Sequence, residues 1–168
     1  MAEWRIRPRT PADDDQVRAV NAANVPEVGP LDDDRLTLFA QDAPHFDVVE
    51  VDGVVVGLFV GLAEAMAYTS PNYRWFDERH DRFAYVDRIA LQPEARGLGI
   101  ADELYERFES WAARTGRPVV CAEVNLEPPN PRSMRFHERR GFVVVGELAP
   151  YGTEERVAMV EKRVPSAT

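Results

Sequence analysis

The chain has 168 residues, 45% of them hydrophobic, which is enough for a buried core, and we expect residues 1–168 to form a single domain. Its formal net charge of −9 argues against nonspecific binding to nucleic acid or to an anionic membrane, because both depend on basic patches. The single cysteine, Cys121, excludes an intramolecular disulfide, and no leader or long apolar span is visible, which predicts a reducing, cytoplasmic setting.

The N-terminal residues predict a strand followed by two helices. Residues 3–7 alternate as in a strand, residues 10–23 begin with the Thr-Pro pair typical of a helix start, and residues 31–41 predict a short second helix. The acidic runs Asp13–Asp15 and Asp32–Asp34 fall in the first turns of these helices. There they offset the helix dipole on a solvated face, and a metal site is the alternative.

A hairpin and an aromatic segment follow. Asp52-Gly53 is a strong two-residue turn signal between the apolar runs 45–51 and 54–62. Residues 65–81 are polar, aromatic and irregular. They can form either a loop that walls a binding pocket or a helical connector whose aromatic side chains lie in the core.

The central stretch reads as a strand, a glycine turn and a helix. Residues 83–91 are rich in aromatic and branched side chains, which predicts a strand. From Ile100 apolar residues recur at the spacing of one helical face, and Gly116 predicts the end of that helix. Gly97 and Gly99 carry no side chain, so a ligand can approach the backbone beside the first turn of this helix. The positive end of the helix dipole favours an anion there, and a phosphate-bearing ligand is expected, although a simple tight turn is the alternative.

The C-terminal third predicts further strands around one helix. The strands are residues 118–124, 142–148 and 155–164. The proline-rich residues 125–131 should interrupt the first of them, and Asn130-Pro131 predicts a helix start, with Gly141 ending that helix. Strands and helices alternate over most of the chain, so an α/β fold with a mixed sheet flanked by helices is expected.

The glycine turn resembles a known cofactor signature. A dinucleotide fingerprint would need glycine at Asp102, and the Gly-Lys-Ser/Thr of a P-loop is absent. The stretch Arg96-Gly97-Leu98-Gly99-Ile100-Ala101 instead resembles the acyl-CoA signature Gln/Arg-x-x-Gly-x-Gly/Ala of the GNAT superfamily of N-acetyltransferases. The resemblance implies a central, mostly antiparallel sheet of about six to seven strands flanked by about four helices.

A second constellation resembles the late motif of the same family, Asn-x-x-Ala-x-x-Leu-Tyr-x-x-x-Gly-Phe. Asn130, Gly141 and Phe142 match it, Ser133 replaces the alanine, and His137 stands in the tyrosine position. The Pro-Pro-Asn-Pro and Phe-His pattern is similar to that of a bacterial subgroup. The resemblance implies that the asparagine and its helix contact the cofactor arm and that residue 137 lies near the thiol sulfur.

The resemblance implies acetyl-CoA, or another short acyl-CoA, as co-substrate. It assigns cofactor binding to residues from both motifs and the strand before them: Ile89, Ala90, Leu91, Arg96, Gly97, Leu98, Gly99, Ile100, Ala101, Asn125, Asn130, Ser133 and His137. For catalysis it implies His137 as proton donor to the thiolate and Asp87 as base for the amine. The alternatives are a helix histidine bonded to a backbone carbonyl and an aspartate paired with an arginine such as Arg88.

The acceptor is less well defined by the sequence. Acidic charge favours a small cationic amine, which Tyr73, Trp75, Phe76 and Tyr85 would contact. A protein lysine or N-terminus is a second acceptor class, and a nonenzymatic acyl-CoA sensor is a third function. We predict no metal, because His45 and His80 have no partners at ligand spacing, and we predict Cys121 to be a buried small hydrophobe. A homodimer is left open.

Overall fold

The structure, a computed structural model, describes residues 3–152 and 155–165. Within them the chain forms seven strands, five α-helices and two short 3-10 helices at Pro11–Asp13 and Pro93–Ala95. The strands are β1 (Trp4–Pro8), β2 (His45–Val51), β3 (Val54–Ala63), β4 (Ala84–Leu91), β5 (Val119–Glu127), β6 (Val143–Leu148) and β7 (Arg156–Arg163). The helices are α1 (Asp14–Ala23), α2 (Asp33–Asp42), α3 (Pro71–Asp77), α4 (Ile100–Arg114) and α5 (Pro131–Arg139). None of the described helices is both long and apolar enough to cross a membrane.

All seven described strands join one sheet in the order β1-β2-β3-β4-β5-β7-β6. The pairs β1–β2, β2–β3, β5–β7 and β6–β7 are antiparallel, whereas β4 and β5 run parallel, with Ala84 opposite Val120 and Tyr85 opposite Cys121. The prediction of a mixed, mostly antiparallel sheet flanked by helices is therefore confirmed.

The chain packs as two compact units. Among the described residues, the first contains 3–62 and 86–108, and the second contains 63–85, 109–152 and 155–165. The expectation that residues 1–168 form a single domain stays a prediction.

The first unit is built around strand β3, whose glycines admit large neighbours. A Cβ placed on Gly61 would lie 2.4 Å from Cε1 of Phe108, and one on Gly57 would lie 2.7 Å from Cδ2 of Leu91. The Phe108 ring is fully buried and meets Phe59 edge-on, with 5.4 Å between ring centroids. Helix α4 therefore packs directly against the β3 backbone at position 61.

The second unit holds an aromatic cluster. Tyr73 and Phe76 of α3 are buried and pack against Tyr85, with centroid separations of 5.6 and 5.8 Å. The Tyr73 hydroxyl donates to the Ala63 carbonyl at 2.6 Å and accepts from the Met66 N–H at 3.0 Å. Residues 65–81 thus contain a short helix with aromatic side chains in the core, as the second of the two interpretations predicted.

Two local expectations were wrong. Strand β5 does not stop at Val124 but continues to Glu127, because β7 supplies partners up to Arg156 across a bulge. Asp13 does not lie on a solvated face: it is 6% exposed, and both of its carboxylate oxygens accept from the Arg7 guanidinium at 2.8 Å. This ion pair lowers the pKa of Asp13, against the opposing effect of burial.

Candidate functional site

The glycine turn forms an open cradle at the start of α4. Gly97 and Gly99 have φ of +74° and +78°, a backbone region that side-chain-bearing residues avoid, and open space surrounds the position that a Cβ would take on either one. The Gly99 carbonyl accepts from Glu103 N–H at 3.1 Å, so the helix begins here. Buried Ile100 anchors the first turn in the core. The cradle therefore combines unobstructed backbone with the positive end of a helix dipole.

The end of β4 runs directly into this cradle. The Arg96 side chain donates from Nε to the Leu91 carbonyl at 3.3 Å, and Gln92 N–H donates to the Val56 carbonyl at 2.8 Å. Ile89 and Leu91 are partly exposed, whereas Ala90 between them is buried. The residues predicted to bind cofactor between Ile89 and Ala101 thus lie along one continuous segment of the first unit, from the end of β4 to the first turn of α4.

Asp87 forms an ion pair with Arg88, its neighbour on β4. Arg88 Nε donates to Asp87 Oδ2 at 2.7 Å, and the two side chains are 2% and 4% exposed, respectively. Arg88 Nη1 also donates to Asn21 Oδ1 and to the Gly29 carbonyl, each at 2.9 Å. The structure therefore shows the ion pair that the sequence offered as the alternative role of Asp87. Strand alternation puts Arg88 on the face opposite Asp87, but its burial could not be predicted, because Asn21 on α1 and the Gly29 carbonyl are distant in sequence.

The second unit carries the late-motif residues on and around α5. Asn130 caps this helix, its Oδ1 accepting from Ser133 N–H at 3.2 Å, and its own N–H donates to the Asn125 carbonyl at 3.1 Å. Ser133 Oγ lies 3.4 Å from His137 Nδ1, one turn further along. Asn125, Asn130, Ser133 and His137 are thus brought together at one end of β5.

His137 is buried, with 4% exposure. Its Nδ1 lies 2.8 Å from the Ser133 carbonyl, and because a carbonyl only accepts, Nδ1 carries the proton. The ring meets Phe142 edge-on with 5.1 Å between centroids. Burial lowers the pKa of His137, which outweighs the raising effect of the Ser133 carbonyl, so the imidazole is neutral at pH 7 with its unprotonated nitrogen at Nε2. The carbonyl bond named as the alternative role of this histidine is present.

The aromatic residues predicted to contact an acceptor differ in exposure. Tyr73, Phe76 and Tyr85 are buried in the cluster described above, whereas Trp75 is partly exposed, with the Arg79 guanidinium 3.6 Å from its ring centroid. Their role toward an acceptor stays a prediction. Tyr85 also donates through its hydroxyl to Glu123 Oε2 at 2.6 Å. Sequence reasoning missed Glu123, since only the strand pairing brings it beside Tyr85.

Comparison with known proteins identifies relatives of this chain both by sequence and by structure. The model of the acetyltransferase (GNAT) family matches residues 13–142. A curated acetyltransferase of Agrobacterium fabrum is 32% identical over 79 residues, which is 47% of this chain and 55% of that protein, so the match spans about half of the relative's length.

Two solved structures share the fold over nearly the whole chain. Ard1 from Thermoplasma volcanium superposes with a TM-score of 0.75 at 21% identity, covering 96% of this chain and 97% of that one. Arabidopsis thaliana Naa50, solved with the bisubstrate analogue CoA-Ac-MVNAL, superposes with a TM-score of 0.73 at 13% identity, covering 95% and 97%.

Proposed function

Because the chain belongs to the acetyltransferase (GNAT) family, we propose that it moves an acetyl group directly from acetyl-CoA to the amine of a small, cationic acceptor. The observation that carries this proposal is the cradle at Gly97 and Gly99, which offers open backbone and a helix N-terminus to an anion. The solved relative that holds a CoA-based bisubstrate analogue supports the same cofactor class. A cytoplasmic, bacterial setting is part of the proposal.

The cofactor would be held by main-chain groups more than by charged side chains. The pyrophosphate of CoA would lie at the N–H groups of the first turn of α4, and the pantetheine arm would follow the main chain of Ile89–Leu91. Asn125, Asn130, Ser133 and His137 are further proposed cofactor contacts, because the family motif implies that role for its asparagine and helix. Arg96, exposed beside the cradle, adds a positive charge for a phosphate.

Direct transfer needs a proton removed at one end and supplied at the other. The acceptor ammonium must lose a proton before its nitrogen attacks the thioester carbonyl, and the departing thiolate gains one. We assign the first role to Asp87, acting directly or through water, and the second to His137. Since neutral His137 carries its proton on Nδ1, its ring must first take a proton from solvent at Nε2, which it then donates to the thiolate. The lowered pKa makes that imidazolium a stronger acid but a less populated one.

The acceptor class rests on charge. A chain with a net charge of −9 attracts a cation such as a polyamine or amino sugar by long-range electrostatics. A protein lysine or N-terminus is the second candidate, because the analogue bound to the Arabidopsis relative joins CoA to a peptide sequence. Partly exposed Trp75 remains the proposed direct acceptor contact, and the buried residues Tyr73, Phe76 and Tyr85 would act toward the acceptor by supporting it from the core.

Thiol release from acetyl-CoA tests the proposal. The purified chain is incubated with acetyl-CoA and a panel of polyamines, amino sugars and amino acids, and in parallel with peptides bearing a free N-terminus or a lysine. Turnover with the first panel alone supports the proposed acceptor, and turnover with peptides alone transfers the assignment to proteins. Tight CoA binding by calorimetry with no turnover on either panel would refute both proposed acceptor classes and favour a nonenzymatic acyl-CoA sensor.

A further inference from the structure

A cluster of three metal-ligating side chains lies in the second unit, outside the residues assigned to acetyl transfer. It consists of His80, Cys121 and Glu161, whose ligand atoms all lie within 4.8 Å of one another. His80 Nε2 contacts Glu161 Oε2 directly, and Cys121 Sγ lies 4.0 Å from the same oxygen. Sequence spacing gave no sign of this group, because the three residues are far apart along the chain.

The sheet fixes two of the three ligands beside each other. Cys121 on β5 and Glu161 on β7 are directly paired across the antiparallel ladder, so their side chains leave the same face of the sheet. His80 comes from the turn after α3, where its N–H donates to the Phe76 carbonyl at 3.0 Å. A register shift of one residue would move either strand's ligand to the other face, so the cluster depends on the pairing itself.

The spacing is close to that of a tetrahedral zinc site. Zinc lies about 2.3 Å from thiolate sulfur and about 2.0–2.2 Å from imidazole nitrogen or carboxylate oxygen, which puts ligand atoms about 3.4–3.6 Å apart. The separation of 4.0 Å between Cys121 and Glu161 would contract slightly, and the His80–Glu161 contact would open to admit the ion. Changes of this size lie within the reach of side-chain rotation.

The chemistry of the donors also matches. Imidazole, thiolate and carboxylate together suit a borderline ion such as Zn²⁺, whereas Mg²⁺ and Ca²⁺ prefer oxygen alone. The anionic thiolate and carboxylate would balance the two charges of the ion. Cys121 is fully buried, but His80 and Glu161 keep 16% and 14% side-chain exposure, so the ion and a water can reach the cluster from solvent.

We propose that His80, Cys121 and Glu161 bind one Zn²⁺ ion, with water as the fourth ligand. On binding, Zn²⁺ replaces the proton of the Cys121 thiol, which is released to solvent, and no electrons are transferred. The ion would tie the turn after α3 to strands β5 and β7. None of the three ligands is among the residues assigned to acetyl transfer, and the site does not depend on the proposed function.

The test uses the full chain without an affinity tag, stripped of metal by a chelator. Calorimetric titration with Zn²⁺ should give one site per chain, and titration with Co²⁺ should give a thiolate-to-cobalt charge-transfer band. Cys121→Ser, which keeps size and burial, should abolish the band and weaken Zn²⁺ binding more than about 100-fold, since even outer-sphere changes cost about 10- to 100-fold. His80→Gln should weaken Zn²⁺ binding to a similar extent.

A matched control is available in the first unit. His45 lies with Nδ1 3.7 Å from Asp47 Oδ2, a histidine–carboxylate pair with no thiol, so His45→Gln should leave Zn²⁺ affinity and the cobalt band unchanged. Three results would each overturn the proposal: less than one Zn²⁺ per chain, a cobalt spectrum of the unmodified chain without the thiolate band, or undiminished Zn²⁺ affinity in Cys121→Ser. The spectrum of the unmodified chain decides the matter even if a variant fails to fold.

Discussion

Replacing Gly99 with glutamate separates the role of the cradle in binding from its role in folding. The residue has φ of +78° and nothing within 4 Å of its Cβ position, so the new side chain meets no steric clash but must adopt a strained backbone. A left-handed conformation costs an L-residue about 1–2 kcal/mol. For a chain of this length that lowers the thermal midpoint by about 2–8 °C.

The same substitution should also weaken CoA binding, through charge repulsion that is independent of the folding strain. A carboxylate about 4 Å from a phosphate is repelled by about 1 kcal/mol in water and about 4 kcal/mol at the effective dielectric near a protein surface. At about 1.4 kcal/mol per tenfold change, the affinity should fall between about 5-fold and 700-fold. The loss should shrink at 1 M salt, where the Debye length is only about 3 Å.

Gly53 provides a matched control for strain without a proposed ligand. It lies in the β2–β3 hairpin with φ of +82° and also has nothing within 4 Å of its Cβ position. Gly53→Glu should therefore lower the thermal midpoint about as much as Gly99→Glu while leaving CoA affinity intact. Calorimetry of both folded variants is the assay. Equal CoA affinity in the two would mean that no phosphate lies at the cradle.

Three further predictions concern charged and titrating side chains. His137→Phe should retain CoA binding while turnover falls about 10²- to 10⁴-fold. Because burial lowers the pKa of His137, the free energy of unfolding of the unmodified chain should decline as pH drops below about 6.5, and an equal decline in His137→Phe would show that another group titrates. Asp87→Asn breaks the buried ion pair with Arg88 and should lower the free energy of unfolding by about 3–5 kcal/mol in urea denaturation. If the folded variant also shows a changed pH–rate profile, Asp87 acts as a base; an unchanged profile would leave it only the ion-pair role. Asp13→Asn should lower the free energy of unfolding by about 1.5–3 kcal/mol at pH 7, whereas the control Asp15→Asn, at a fully exposed residue, should lower it by almost nothing. Since the pKa of Asp13 is lowered, its contribution to stability is present above about pH 4 and is lost as pH falls further. Equal losses of stability in the two variants would contradict the ion-pair argument.

Local signals in the sequence predicted most of the elements. Asp52-Gly53 predicted a hairpin because both residues must take positive φ, which the structure shows at 50° and 82°. Asn130-Pro131 predicted a helix start, and the Asn130 side chain does cap α5. In both cases the residues that decide the conformation lie within one turn of each other, so no distant partner was needed.

Features that depend on strand register could not be predicted in this way. The extension of β5 to Glu127 needed the partner β7, and the grouping of His80 with Cys121 and Glu161 needed both that pairing and the turn after α3. The buried ion pair of Asp13 likewise needed Arg7 from β1. From sequence alone a charged residue is predicted to face solvent, because the free-energy cost of burying a charge without a partner is high and the partner is not yet known.

The contact between position 61 of β3 and Phe108 of α4 has a consequence for how sequences with this fold can diverge. A methyl group at position 61 would overlap the buried Phe108 ring at 2.4 Å, so a larger residue at position 61 of the strand requires a smaller one at position 108 of the helix. We expect the two positions to covary, with alanine or serine at 61 accompanied by leucine or a smaller residue at 108. Each ancestral step through either single change would pass through a less stable protein, which makes this pair an epistatic barrier in the evolution of the fold.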